Sequence, residues 1–284
     1  MPELRLRDWV KVVDDTERSP VIIHAPHGGT SIPEESRDEF VITDGELDAE
    51  ILALTDHAVD AFARAALRQA GGSAVINRLS RFVVDVERFP GPEEEKNAVG
   101  MGVLYTHGSQ RQLVRSIPND AVAGYMRFFD EYSAVLAHLV KQAIARHGRA
   151  IIVDVHSYHR AVLPHELHAS EPRPELCVGY EEFHIDAELR DAVATCFADF
   201  EQGDNQTFHG SYVPLEHYQR DKRVQSVMLE IRRDRYMDEV TGKRDARRVK
   251  AIGASLASLV ERYSNVTTCE GSAPSSSTEG AGNG

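Results

Sequence analysis

Ala150-Ile151-Ile152-Val153-Asp154-Val155 is an apolar run interrupted by one carboxylate, and His156-Ser157-Tyr158-His159 follows it directly. So short a run, bounded by polar residues, reads as a strand buried on both faces. Such strands belong to parallel or mixed sheets covered by helices on either side. In those sheets, polar groups just past the carboxyl end of a strand gather at the ligand crevice, and His156 stands at that point. Side chains alternate along a strand, so Asp154 and His156 share one side. There the carboxylate can fix the tautomer of the imidazole, and His156 is the leading candidate for a metal ligand.

Outward from this segment the pattern repeats. Val21-Ile22-Ile23-His24-Ala25 is a second buried strand, ended by Pro26. Further strands are expected at 73–77, 82–86 and 227–231. Between them, Ile51, Leu52, Val59, Phe62, Ala63 and Ala66 recur at helical spacing and predict one helix over 46–70, stopped by Gly71-Gly72. The stretch 119–147 reads as one long helix or two in series, closed by Gly148. Helices are also expected near 186–198 and 243–263. Strands alternating with helices predict an α/β domain with a central, mostly parallel or mixed sheet. It occupies 1–264 as a single unit. Residues 265–284 end in Ser272–Gly284, rich in Ser, Gly and Ala without a large apolar residue, the composition of a disordered tail.

The chain has 284 residues, 42% hydrophobic and 27% charged, enough for a sizeable core. Its net charge of −13 argues against nucleic acid or an anionic membrane as partner. An anionic substrate must then be met by a local arginine cluster. Cys177, Cys196 and Cys269 are odd in number and scattered, which suits neither a disulfide framework nor a thiolate metal site. The N-terminus lacks the layout of a secretory signal, and no apolar run approaches the ~18–20 residues of a membrane span. The expected location is the cytoplasm.

Three polar clusters close the core strands. In His24-Ala25-Pro26-His27-Gly28-Gly29, His27 follows the strand and is a candidate ligand. His24 lies within the strand and reads as a core or supporting histidine, and the glycines would let backbone approach a bound species. The second cluster is Asp154–His159. In the third, Leu229-Glu230-Ile231-Arg232-Arg233, Glu230 is costly to bury unless paired, and burial would raise its pKa toward that of a general base. An ion pair with Arg232 or Arg233 is the plainer alternative. Two histidines and a carboxylate with one open position form the usual catalytic zinc set. The third ligand is open among Glu46, Asp48, Glu50, Asp56 and Asp60, of which Asp56 and Asp60 would share a helix face. Arg78, Arg81 and Arg88 flank the 82–86 run, and Arg81 or Arg88 could clamp a substrate carboxylate.

These segments together resemble the N-formylglutamate amidohydrolases, relatives of the zinc carboxypeptidases and of succinylglutamate desuccinylase and aspartoacylase. The match rests on Pro26-His27-Gly28-Gly29 with Ile32-Pro33, Thr55-Asp56 with Val59-Asp60, Arg81–Arg88, and Asp154–Ser157. Gly210-Ser211-Tyr212-Val213, Leu229-Glu230-Ile231 and Tyr236–Glu239 add to it. The resemblance implies a phosphorylase/hydrolase-like three-layer fold with Zn2+, or another divalent ion, held by His27, Asp56 and His156. It implies Glu230 as general base, Arg88 with Arg81 as substrate-binding residues, and a small anionic N-acyl amino acid, N-formyl-L-glutamate first, as substrate. Two positions depart from the family pattern. Gly28 replaces a serine, and Glu87 replaces the asparagine before the arginine, where a carboxylate would oppose an anionic substrate unless it points away or pairs with Arg88. Glu87 therefore favours, as an alternative, a deacylase of another N-acyl amino acid or small peptide-like amide. A non-catalytic metal-binding homologue is the remaining reading.

Overall fold

The computed structural model describes residues 4–168 and 173–264; the tail expected at 265–284, with Cys269, lies outside the described residues. A short helix α1 (Leu6–Trp9) leads into β1 (Val10–Val13) and β2 (Val21–Ala25). Helices α2 (Glu34–Arg37), α3 (Asp44–Leu54) and α4 (Val59–Ala70) precede β3 (Ser73–Asn77). A 3-10 turn at Glu95–Val99 and helix α5 (Asn119–His147) lead to β4 (Ala150–Tyr158). Then follow β5 (Leu176–Gly179), α6 (Ala187–Cys196), β6 (Gln202–Asp204), β7 (Val224–Arg232) and α7 (Ala246–Ser264).

The seven strands form one mixed sheet in the order β1-β3-β2-β4-β7-β5-β6. Strands β3, β2, β4 and β7 run parallel, while β1 and β5 are antiparallel to their inner neighbours. Alternation sorts the inner strands into two packed layers. Odd positions such as Ile23, Val153, Val155 and Leu229 bury against Phe62 of α4, Val193 of α6 and Leu256 of α7. Even positions such as Ile22 and Ile152 bury against Phe128, Tyr132 and Leu136 of α5. Each fully buried side chain of this size contributes roughly 1.5–3 kcal/mol. The result is the expected three-layer α/β arrangement. From β2 the chain crosses to β3 by way of α4 on one face, then returns past β2 to β4 by way of α5 on the other. Strands β2 and β4 therefore flank the point where the strand order reverses, where a crevice opens at their carboxyl ends.

Two expectations are corrected. The helix over 46–70 is two helices, α3 and α4, separated by Thr55–Ala58. Thr55 is extended, and Ala58 is left-handed at φ 67°, a conformation that costs an alanine roughly 1–2 kcal/mol. The break is held by its surroundings: the Arg233 guanidinium donates to Ala53 O at 2.6 Å, and the Tyr236 hydroxyl to His57 O at 2.6 Å. Residues 82–86 are a buried loop and not a strand. Arg115, wholly buried, donates to the carbonyls of Phe82 and Val83 at 2.6 and 2.8 Å and pairs with Glu39 at 2.6 Å. A side chain thus satisfies backbone that a neighbouring strand would otherwise have to satisfy. The region 119–147 is one continuous helix, and Cys177 and Cys196 are free thiols.

Candidate metal centre and active site

The face of the sheet that packs Ile22 and Ile152 against α5 turns polar at its carboxyl end. His24 pairs in register with Asp154, and His156 with Glu230, so all four side chains project to that side. His27 follows Pro26 at the end of β2. The loop carrying Asp56 is tied to it, since Asp56 N–H donates to His27 O at 3.0 Å. The glycines after His27 allow close packing of the chain at this turn. A Cβ on Gly29 would lie 2.2 Å from the backbone of Arg78, and one on Gly28 would lie 2.7 Å from Val59.

His27 Nδ1 and His156 Nδ1 lie 3.3 Å apart, and Asp56 Oδ2 is 2.9 Å from His156 Nδ1 and 3.6 Å from His27 Nδ1. Donors about 2.0–2.1 Å from one tetrahedral ion stand roughly 3.3 Å from one another, so this spacing suits such an ion. The outer nitrogens face carboxylates. His27 Nε2 is 2.7 Å from Asp85 Oδ1. His156 Nε2 is 3.0 Å from Asp154 Oδ1 and 3.2 Å from Glu87 Oε2, but off the axis of a hydrogen bond to either. With protons on the outer nitrogens, two imidazole lone pairs and a carboxylate oxygen meet without a hydrogen among them, a set that fits a cation. The charges agree. Asp56, Asp85, Glu87, Asp154 and Glu230 face Arg81, Arg88 and Arg233, two more carboxyl groups than guanidiniums.

The titration of these groups follows from that crowding. Burial opposes charging His27 and His156, yet neighbouring carboxylates outweigh it and raise both pKa values. Burial likewise acts to raise Asp56, but His156 and His27 hold it below the usual carboxylate range. Glu230 is pushed up to about 8, chiefly by burial, with His156 pulling the other way and Asp56 and Glu87 adding to the rise. Its Oε2 has no hydrogen-bond partner. Neither arginine beside it supplies one: Arg232 pairs with Asp234 at 2.8 Å, and Arg233 with Asp56 at 3.4 Å.

The other acidic candidates lie elsewhere. Glu46 closes a capping box with Thr43, Asp48 is exposed, Asp60 pairs with Arg64 at 2.8 Å, and Glu50 receives Ser109 N–H at 2.7 Å. His24 is a buried supporting residue, 2.8 Å from both Asp154 Oδ1 and the Tyr132 hydroxyl. Arg78 reaches Asp8 O near the N-terminus and does not line the cavity.

His27, Asp56, His156 and Glu230 border a cavity of about 1010 Å³, which Arg81 and Arg88 also line. The two arginines share a single carboxylate, Asp85, at 2.9 and 3.3 Å, and both donate to the Tyr105 hydroxyl. Glu87 does not pair with Arg88. Its carboxylate turns toward the histidines, with Oε2 3.4 Å from His27 Nδ1. Sequence reasoning missed Lys96, which lines the same side of the cavity; burial, helped by Arg88, pushes it down to about 8. It also missed Arg233 as the partner of Asp56, which no local pattern announces.

The fold is shared with solved structures. A crystallised N-formylglutamate amidohydrolase from Ralstonia eutropha JMP134 superposes with a TM-score of 0.76 at 21% identity, over 90% of this chain and 97% of that one. The gene product Atu2144 from Agrobacterium tumefaciens superposes with a TM-score of 0.60 at 19% identity, over 90% and 94%. These likenesses establish the fold. No curated protein matches the chain by sequence. The family profile described as N-formylglutamate amidohydrolase matches residues 19–237, most of the chain, and the protein belongs to that family.

Proposed function

We propose that this protein is a metal-dependent amidohydrolase that cleaves the amide bond of an N-acyl amino acid, with N-formyl-L-glutamate as the first candidate. The observation that carries this reading is the meeting of His27 Nδ1, His156 Nδ1 and Asp56 Oδ2 in the same cavity as the unpartnered Glu230 Oε2. Family membership supports amide hydrolysis, and the donor set suits zinc while admitting other divalent ions. The bound ion would supply a Lewis acid that makes water acidic and polarises a carbonyl.

The remaining work falls to side chains. Arg88 and Arg81 hold the substrate carboxylate by two-pronged hydrogen bonds, which fixes the scissile carbonyl relative to the histidines. Glu230 takes a proton at Oε2 from the attacking water as the new C–O bond forms. It returns that proton to the nitrogen as the C–N bond breaks, releasing an amino acid and a carboxylic acid. Asp85 keeps the outer nitrogen of His27 in place, and Arg233 does the same for Asp56.

The test is metal analysis of full-length protein purified without chelator, followed by assay on N-formyl-, N-acetyl- and N-succinyl-amino acids. About one equivalent of divalent metal and hydrolysis of at least one substrate are expected. Bound metal without turnover on any of them would favour the non-catalytic metal-binding homologue instead, and protein without metal and without turnover would overturn the reading.

A further inference from the structure

Lys96 reaches the cavity from the 3-10 turn Glu95–Val99, and that turn is tied to the loop carrying the arginines. Glu94 Oε1 accepts from Lys96 N–H at 2.9 Å, and Glu94 Oε2 accepts from Phe89 N–H at 3.0 Å, one residue after Arg88. The base of the lysine side chain therefore keeps a fixed place relative to Arg88. Both side chains line the cavity, and Arg88 acts on the charge of Lys96.

The ammonium itself is poorly matched. Lys96 Nζ donates to His165 O at 3.5 Å, the outer limit of such a bond, and among the described residues no carboxylate oxygen lies within 4.0 Å of it. The carboxylates around it are engaged elsewhere: Glu95 faces His168 at 2.8 Å, and Glu166 faces Arg173 at 2.7 Å. Within that same distance Arg81, Arg88 and Lys96 together have one carboxylate among the described residues, Asp85. A cation held partly out of water without a counter-charge is costly, and an anionic ligand removes that cost.

The surroundings favour negative charge at this corner. His165, which also lines the cavity, is kept neutral, its pKa pushed down to about 3 by burial and then by Lys96 and Arg81. Its Nδ1 has no hydrogen-bond partner. Leu54, Met101, Leu163 and Leu167 line the cavity as well and belong to the apolar cluster around Tyr105, whose hydroxyl receives both arginines. Apolar walls strengthen the pairing of charges between them. They also suit the methylene groups that separate two carboxylates in one small molecule.

We propose that Lys96 receives a second carboxylate of the substrate while Arg81 and Arg88 hold the first, and that it thereby selects dicarboxylic N-acyl amino acids over singly charged ones. The inference rests on the amidohydrolase reading above and adds a specificity-determining residue to it. A doubly charged substrate brings two carboxylates to three cations that share only Asp85, so the charges at this corner balance. The second carboxylate can sit on the amino-acid side chain or at the end of the acyl group, and both present the same chemistry to an ammonium.

The test measures kcat/KM of the metal-loaded full chain at neutral pH on two matched pairs. One pair is N-formyl-L-glutamate and N-formyl-L-glutamine; the other is N-succinyl-L-glutamine and its succinamoyl amide. The acid is expected to exceed its amide by about 10–100-fold in one pair, the size of a hydrogen bond to a charged group, and that pair identifies where the second carboxylate sits. Lys96→Met, with its metal content unchanged, should lower this acid-to-amide ratio at least tenfold. Lys96→Arg, which keeps the charge, should retain most of it. Equal rates for acid and amide in both pairs, or a preference that survives Lys96→Met, would overturn the subsite and leave the amidohydrolase standing. No hydrolysis of any of the four would overturn both.

Discussion

Glu230 stands beside His156 across the β4–β7 pair, and its Oε2 is buried in the cavity without a hydrogen-bond partner. A carboxyl group left in that condition is poised to receive a proton rather than to hold structure together. Glu230→Gln should therefore retain metal while kcat falls by about 10²–10⁴-fold, the usual size of a general-base contribution. Metal content and steady-state rates on the same preparation decide it; normal turnover in the variant would remove Glu230 from the chemistry.

His156 sits within 3.3 Å of both His27 Nδ1 and Asp56 Oδ2. His156→Ala should lose most of its metal and most of its activity together. Full occupancy by elemental analysis would show that the ion binds elsewhere.

Asp85 does not face the ion site itself but accepts from the outer nitrogen of His27 at 2.7 Å. Partners of this kind typically contribute 10–100-fold to metal affinity. Asp85→Asn should weaken affinity by that amount in a competitive chelator titration. Unchanged affinity would mean that the orientation of His27 is set by packing alone.

Lys96 is positive below about 8 and neutral above it, because burial and the nearby Arg88 disfavour its charge. If its ammonium helps to attract an anionic substrate, kcat/KM should fall on an alkaline limb near that pH, since this ratio reports groups of the free enzyme. Lys96→Met should lower kcat/KM in the neutral range and flatten the limb. A limb that survives the substitution belongs to another group.

Arg115 and Glu39 form a wholly enclosed pair that also serves the carbonyls of Phe82 and Val83. Removing one member of such a pair costs about 3–5 kcal/mol. Arg115→Met should shift the denaturant midpoint accordingly with the slope unchanged.

The sheet and three members of the candidate site were legible for one reason. β2, β4 and β7 are apolar on both faces, so His27, His156 and Glu230 stand out where each run ends. Asp56 was harder. The helical spacing runs straight through residues 55–58, and nothing local marks Ala58 as left-handed; the break is held in part by Arg233, 180 residues on. The loop at 82–86 misread as a strand for a similar reason, its carbonyls being served by Arg115, about 30 residues away. Strands β5 and β6 are too short to leave a pattern, and Lys96 lies in a 3-10 turn without periodicity.

The ligand set has a mechanical side as well. His27 and His156 are 129 residues apart in the chain, and Asp56 and His156 are 100 apart. Asp56 rides on the link between two helices, and the histidines ride on two strands. An ion gripping all three would be a clasp across the molecule, and it would bind only the folded chain. Saturation at a hundred times the dissociation constant would add roughly 2.7 kcal/mol to the folding equilibrium. The cell's supply of the metal would then govern how long the protein survives as well as how fast it works.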